Sequence, residues 1–449
     1  MQTTLFSLGL TGMLVLGAGV APVWAAAPAP VPSGVPAPAT GGGWAVVAER
    51  LRAGAQETAW RHLPRQEAPT AAQLGQAVDL NRGFWLARLR KDGFFEPVTE
   101  LRRRRGAEEA AAPDERCQAA ALWTLAGLCR ARPTPEARQA LMLGLDALAR
   151  QTREFPVRAS APALPGTAEI HTITVAHLAL TLLEMTAGQE RDLTPDGLRQ
   201  MELWLQSHLA WLQAMENSEG GWAVKYVLLD QSRDTTADPA TDGACFLAAV
   251  RAARWSGRAD QLARLTDHGR LLARRYTGDG WREVRDPAAT RAFLALGSLA
   301  YRELAQAGGP DADTFRAVAV GAAWWLALDQ GAAQRERALA QTTLVLLTGA
   351  QAAREAGDPA AGAALAALAA PPLRRLAAWQ VRGPLAAENP YLQRLAQPSP
   401  RTEGGFMTGE DSGVIRAGDQ LFPVRCVLAA LPPAAAPVSP AAAQAEKPR

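Results

Sequence analysis

Lysine is nearly absent from this chain of 449 residues. Lys91, Lys225 and Lys447 are the only three, so 44 of the 47 basic residues are arginine. Histidine occurs five times, and cysteine and tyrosine four times each. No Cys-x-x-Cys or His-x-x-x-His spacing is present, which removes the common zinc patterns. There is no Gly-x-x-x-x-Gly-Lys-Ser/Thr loop, no dinucleotide Gly-x-Gly-x-x-Gly after a strand, and no Gly-x-Ser-x-Gly elbow, so no cofactor is identified. Asp230, Asp234 and Asp238 lack the calcium-loop pattern, and no metal site is expected. A net charge of +3 is far from the profile of a nucleic-acid binder. The one dense basic run, Arg102 to Arg105, reads as a solvated loop.

Disulfides are not expected either. Cys117, Cys129, Cys245 and Cys426 all fall in apolar helical segments. Cys117 and Cys129 share one helix, about 18 Å apart at about 1.5 Å per residue. Small buried hydrophobes is the better reading.

Long apolar runs are confined to the N-terminus. Leu5 to about Val23, followed by Val23-Trp24-Ala25, reads as a signal peptide over 1–25, although no Lys or Arg precedes Arg50. Export to the periplasm or medium follows, with no stable membrane insertion after cleavage. Residues 26–60 form a Pro/Ala/Gly-rich linker and lead-in, and 432–449 a tail of similar composition. The folding domain is 61–431.

Within it, helical periodicity dominates and sustained period-two alternation is missing. Mixed-surface helices are predicted at about 71–91, 135–152, 196–215, 260–276, 312–329 and 361–379. More apolar ones alternate with them at about 114–130, 167–187, 241–256, 287–306, 338–355 and 419–431. The turns Asp92-Gly93-Phe94, Gly220-Gly221-Trp222, Asp279-Gly280-Trp281 and Gly404-Gly405-Phe406 punctuate the outer set. Glycines preceding their aromatics are spaced 128, 59 and 125 apart, near multiples of about 62. Six helix pairs closing on themselves give an all-α (α/α)6 toroid, with apolar helices inside and mixed ones outside.

Trp211-Leu212, Glu216, Gly220 and Trp222 resemble the repeat motif of terpenoid-cyclase and related α/α toroids, with Glu216 where that motif has Gln. Phe84-Trp85-Leu86 through Gly93-Phe94 is a weaker copy. The GGWAVKY stretch also resembles the pectate-lyase toroids, in which a Gly-Gly-Trp turn opens onto the substrate cleft. The resemblance implies the six-hairpin fold over roughly 70–431. It leaves the chemistry open, because such turns recur across toroids of unrelated activity.

In a toroid, the connections from outer to inner helices gather at one mouth, where inner-helix N-termini point free N–H groups and positive dipole ends. The richest connection, 216–242, offers Glu219, Trp222, Lys225, Tyr226, Asp230, Asp234, Asp238 and Asp242. Asp238 or Asp242 is also a natural N-cap. Trp281 and Arg282 follow the next turn. Glu403, Phe406, Glu410, Asp411, Arg416 and Asp419 lie in the last connection, and His171 opens the second inner helix. His177 reads as a satisfied core histidine.

The leading expectation is a lyase that eliminates across linkages of an acidic (uronate) polysaccharide. Lys225, Arg282 and Arg416 would neutralise the uronate carboxylate, and Tyr226 or His171 would be the base. Trp222, Trp281 and Phe406 would stack on sugar faces, with Glu219 and Asp238 contacting hydroxyls. Hydrolysis by paired carboxylates, Glu219 or Asp238 with Glu403 or Asp411, is one alternative. A non-catalytic glycan-binding or scaffold toroid is the other.

Overall fold

The computed structural model describes residues 46, 48–54, 66–101, 114–155, 159–189, 194–278, 281, 284–328, 338–395 and 400–432. The expected signal peptide, most of the lead-in, Arg102 to Arg105, Arg282 and nearly all of the tail lie outside the described residues.

Among the described residues, twelve helices of ten residues or more build the toroid. Outer helices are α1 (Ala71–Arg88), α3 (Pro135–Ala149), α5 (Pro195–Ala214), α7 (Ala259–Thr277), α9 (Ala312–Leu328) and α11 (Pro359–Ala378). Inner helices are α2 (Glu115–Ala131), α4 (Thr172–Gln189), α6 (Pro239–Ser256), α8 (Pro287–Ala307), α10 (Leu339–Glu355) and α12 (Leu421–Ala430). Proline stands in the first turn of five of them: Pro135, Pro195, Pro239, Pro287 and Pro359. A missing N–H costs nothing there. Each is preceded by an N-cap, Thr134, Thr194, Asp238, Asp286 or Asp358, whose side chain accepts from the free amides of that turn.

The inner helices pack each on the next, and α12 packs back on α2. The ring is therefore closed, as the repeat count predicts. Buried leucine, alanine and aromatic side chains of α2, α4, α6, α8 and α10 form its core.

Among the described residues, seven short strands of three or four residues each were not foreseen. They are β1 (Val98–Glu100), β2 (Thr152–Phe155), β3 (Ala159–Pro162), β4 (Glu169–His171), β5 (Lys225–Val227), β6 (Ser232–Asp234) and β7 (Val414–Arg416). β4 occupies residues assigned above to the start of α4, which begins at Thr172. Antiparallel pairing of β4 with β5, and of β5 with β6, joins the connections that lead into α4 and α6. β1 pairs with β7, joining the connections into α2 and α12. The sheets hold the inner-helix N-termini of each pair at a common end, which is the mouth.

At the other end, ion pairs bridge the inner helices. Arg251 reaches Glu303 at 2.8 Å (α6 to α8), and Arg302 reaches Glu355 at 2.6 Å (α8 to α10). Arg130 lies 3.5 Å from Glu184 (α2 to α4). All four cysteines are free, Cys117 partly exposed and the others buried. No helix of the described residues is long and apolar enough to cross a membrane.

Candidate functional site

The sheet β4–β5–β6 has two unlike faces, because successive strand residues point to opposite sides. Ile170 and Tyr226 share one face and are buried. Tyr226 packs edge-on between Phe155 and Trp211, with centroids at 5.8 and 5.7 Å. His171, Lys225 and Asp234 are direct cross-strand neighbours on the other face, with Glu169 two residues along. Lys225 and Tyr226 therefore cannot both face the mouth, which removes Tyr226 as a base.

Lys225 Nζ donates to Glu169 at 2.6 Å and lies 3.9 Å from Asp234. That hydrogen bond raises the lysine pKa. His171 is half-buried, and burial lowers its pKa, aided by the Arg116 charge and opposed by Glu169. It is thus neutral near pH 7. Arg116 and Asp114 at the head of α2 both act on it electrostatically, so the head of α2 flanks the charged face of the sheet.

The second half of the rim was missed in the sequence. Asp114 caps α2, accepting from the amides of Arg116 and Cys117. Glu115 follows it, half-buried. Burial raises its carboxyl and the Asp114 charge adds to this, against the hydrogen bond from its own backbone amide. Across from them is Asp419, in the turn Gly418–Gln420 that leads into α12 and packs on α2. Cys117 feels the charges of both Asp114 and Asp419. Surrounding protein raises the Asp419 carboxyl, with Arg416 opposing, yet much of Asp419 is open to solvent. Two signals were available: the consecutive acids at the start of a predicted inner helix, and a carboxylate just before the last one.

The remaining candidates serve the frame. Trp222 is buried and stacks on His268 of α7, centroids 4.7 Å apart. Its amide donates to Asp242 at 2.8 Å, and Tyr276 donates to the same carboxylate at 2.6 Å. Asp238 is the N-cap of α6, bonded to Thr241. Trp281 is buried against Trp325 of α9, centroids 5.8 Å apart. Phe406 is buried and its amide donates to Gln420 at 2.7 Å. None of these rings offers a face to a sugar. Glu219 is exposed beside Arg275 of α7, at 3.5 Å. Glu403 pairs with Arg382 at 3.2 Å, and Asp411 is exposed. Of the expected set, His171, Lys225 and Arg416 lie along the rim, whereas Trp222, Trp281, Phe406, Glu219, Asp238 and Glu403 do not join them.

One clamp recurs. Gln118 accepts from the Phe95 amide at 2.9 Å, as Asp242 does from Trp222 and Gln420 from Phe406. Gln118 and Asp242 each stand four residues after an Asp N-cap. A Cβ on Gly221 would lie 2.9 Å from the Asp242 carboxylate oxygens, so the glycine is required by this close approach.

Deeper in the ring, Glu184 of α4 accepts from Trp123 of α2 at 3.0 Å and from Arg425 of α12 at 2.9 Å. Because α4 and α12 both flank α2, their contact passes over the inward face of α2. Gly127 leaves the room, since a Cβ there would lie 3.1 Å from Arg425. The Arg425 guanidinium also sits 4.2 Å from the Trp123 ring centroid. Burial alone would raise the Glu184 carboxyl, but Arg425, Arg251 and Arg130 together hold it at about 2. His177, two turns before Glu184 on the same stripe of α4, packs against Trp123 at 5.2 Å. It is a buried core histidine, as expected, though its Nε2 has no hydrogen-bond partner among the described residues. Among the described residues, no group of three His, Cys, Asp or Glu is placed to hold a metal.

Neither a family model nor a curated protein sequence matches this chain. Solved structures do. The cellobiose 2-epimerase from Bacillus thermoamylovorans B4167 superposes with a TM-score of 0.55 at 9% identity, over 80% of this chain and 98% of that one. The chain is an α/α toroid. The GH76A alpha-1,6-mannanase from Salegentibacter sp. HEL1_6 superposes on this toroid with a TM-score of 0.50 at 10% identity, over 86% and 98% of the two chains. An inactive variant of that mannanase, changed at two consecutive aspartates, was solved with alpha-1,6-mannotetrose and has a TM-score of 0.52 at 9% identity, over 80% and 98%.

Proposed function

We propose that this toroid is a carbohydrate-active enzyme that hydrolyses glycosidic bonds of a neutral oligosaccharide or polysaccharide at its mouth. The observation that carries the reading is the placement of Glu115, at the head of α2, and Asp419, in the turn that leads into the neighbouring α12, at one rim. Hydrolysis needs one carboxyl that gives its proton to the leaving oxygen and a second that reaches water. Glu115, half-buried and raised by burial, is the acid that protonates the leaving oxygen. Asp419, open to solvent and beside Arg416, is the base or nucleophile. Asp114 holds the head of α2 in place. The solved mannanase that is inactive when two consecutive aspartates are changed gives this pattern of adjacent acids a precedent on the same fold.

A neutral substrate fits the charges better than a uronate. The rim group Asp114, Glu115, Glu169, Asp234 and Asp419 sets five carboxylates against Arg116, Lys225 and Arg416. Elimination also has less support, because Lys225 is already committed to Glu169 and Asp234. Export remains part of the proposal on the N-terminal pattern alone.

The test is release of reducing ends from mannan and gluco-oligosaccharides. Glu115→Gln and Asp419→Asn should each lower kcat/KM by about 10²–10⁴-fold with unchanged thermal stability. Full activity in both variants sinks the reading.

A second reading rests on His171. A half-buried neutral imidazole beside Arg116 and Lys225 is suited to remove a proton next to a sugar carbonyl, as epimerisation requires. Deuterium uptake at C2 of an aldose from heavy water, lost in His171→Gln, would favour it over hydrolysis.

A further inference from the structure

The seam at which the ring closes is held by a buried arginine. Arg88, in the last turn of α1, is 1% exposed. Its guanidinium donates to the Glu96 carboxylate at 3.2 Å, to the Val98 carbonyl at 3.2 Å and to the Arg401 carbonyl at 3.3 Å. It also lies 4.9 Å from the Phe84 ring centroid. Burial pushes it down to about 10, with Glu96 opposing, so it stays charged near pH 7. One side chain thus ties together the end of α1, strand β1 and the connection that leads into α12.

β1 depends on that tie. Val98 and Glu100 are exposed and Thr99 is half-buried, so the strand brings no buried side chain to the core. Packing alone leaves such a strand free to shift, whereas a planar guanidinium fork sets direction as well as distance. What β1 holds in turn is the chain around Asp419. Val98 pairs with Arg416 of β7, and the Ala417 amide donates to the Pro97 carbonyl at 2.8 Å. The turn Gly418–Gln420, which carries Asp419, follows at once. Behind Asp419, the buried Gln420 side chain bonds both the amide and the carbonyl of Phe406 at 2.7 Å. Asp419 is therefore fixed from one side by Gln420 and from the other by β1.

The geometry points to Arg88 as a positioning residue for Asp419: through β1 and β7 it sets where that carboxylate stands relative to Glu115. This rests on the hydrolytic reading above. Replacing Arg88 strands no buried charge, because the Glu96 side chain is 30% exposed and keeps Arg401 at 3.3 Å. A guanidinium retained for stability alone could then become apolar with the rate per folded molecule unchanged. One retained for alignment could not, since a misplacement of about 1 Å can lower a rate by about 10²-fold.

The experiment compares the full chain with Arg88→Met and Arg88→Lys. It measures kcat and KM for release of reducing ends across pH, and hydrogen exchange in peptides spanning 97–101 and 413–420. Arg88→Met should lower kcat by about 10–10²-fold with KM within about twofold. Arg88→Lys should lose less, because its ammonium keeps the charge but not the fork. Exchange should quicken in those two peptides and not in α4 or α6. The acid limb of the remaining rate should move to lower pH, because burial raises the Asp419 carboxyl and a loosened turn lets water reach it. A purely structural role would lower the melting temperature and leave that limb in place.

An undiminished kcat in Arg88→Met, or exchange that quickens throughout the ring, overturns the role and leaves hydrolysis standing. If Arg88→Met does not fold, Arg88→Lys decides, and wild-type kcat in that variant overturns the role. A wild-type chain that releases no reducing ends sinks hydrolysis itself and the role with it.

Discussion

Glu184 and Arg425 are 241 residues apart in the chain and 2.7 Å apart in space. Their contact passes over the bare backbone of Gly127, and Trp123 donates to the same carboxylate. Arg425→Met should cost about 3–5 kcal/mol, because it leaves a buried charge uncompensated. Urea unfolding should show the midpoint falling at constant slope, and Glu184→Gln combined with Arg425→Met should recover much of the loss.

The same carboxylate sets an acid limit. It is held at about 2, below its ordinary 4.5, so its contribution is complete above about pH 4.5 and is lost as pH falls through about 2. Wild-type stability measured across that window should fall more steeply than that of the double variant.

Asp242 has the opposite sign. Burial raises its carboxyl, against the Tyr276 hydroxyl, the Trp222 amide and Arg275. The folded state therefore binds its proton more tightly, and its contribution is full below the ordinary 3.8 and lost as pH rises through the folded value. Asp242→Asn retains an acceptor for the Trp222 amide and should gain on the wild type as pH rises from about 4 to about 7. Asp242→Ala removes the clamp and should cost about 2–3 kcal/mol, by thermal or chemical melting.

Gly404 has φ +82°, and a Cβ there would lie 2.0 Å from the Leu80 carbonyl oxygen. The Asn81 and Gln380 side chains both bond its own carbonyl at 2.9 Å, so the turn cannot slide away. Gly404→Ala should destabilise by at least about 2–3 kcal/mol from backbone strain alone. Gly308→Ala, at φ +81° but in open space, should cost less, and comparing the two melting temperatures isolates the collision.

If Glu115 is the proton donor, activity on a neutral glycan should decline on the alkaline side as it ionises. Glu115→Gln should remove that alkaline limb from whatever rate remains. A limb that survives the substitution assigns the proton to another group.

Twelve helices were legible because apolar stripes and Gly breaks agree locally. The five Thr/Asp-Pro pairs would have sharpened the starts further. Strand β4 was not legible: Glu169-Ile170-His171 is too short for period two to show, and α4 was extended over it. That lapse also hid the opposition of Lys225 and Tyr226. The Gly-Gly-Trp turn was conspicuous for its composition, yet the tryptophan packs on His268 inside the frame. Glu184–Arg425 could not be read at all, since nothing local in a helix marks a partner eight helices away in the chain. His171, Lys225 and Arg416 stand out because charged residues beside turns concentrate at the mouth, whereas nothing in the sequence sets Glu115 apart from other first-turn acids.

The seam between β1 and β7 has a consequence for synthesis. A ribosome delivers the first hairpin some three hundred residues before the strand that pairs with β1, and α12 later still. Until then α2 has one flank uncovered and Glu184 has no Arg425. Hairpins can form as they emerge, but the last cooperative step must wait for release of the C-terminal helix. A chain stopped short of Leu421 should be a protease-sensitive client of chaperones, not a smaller enzyme.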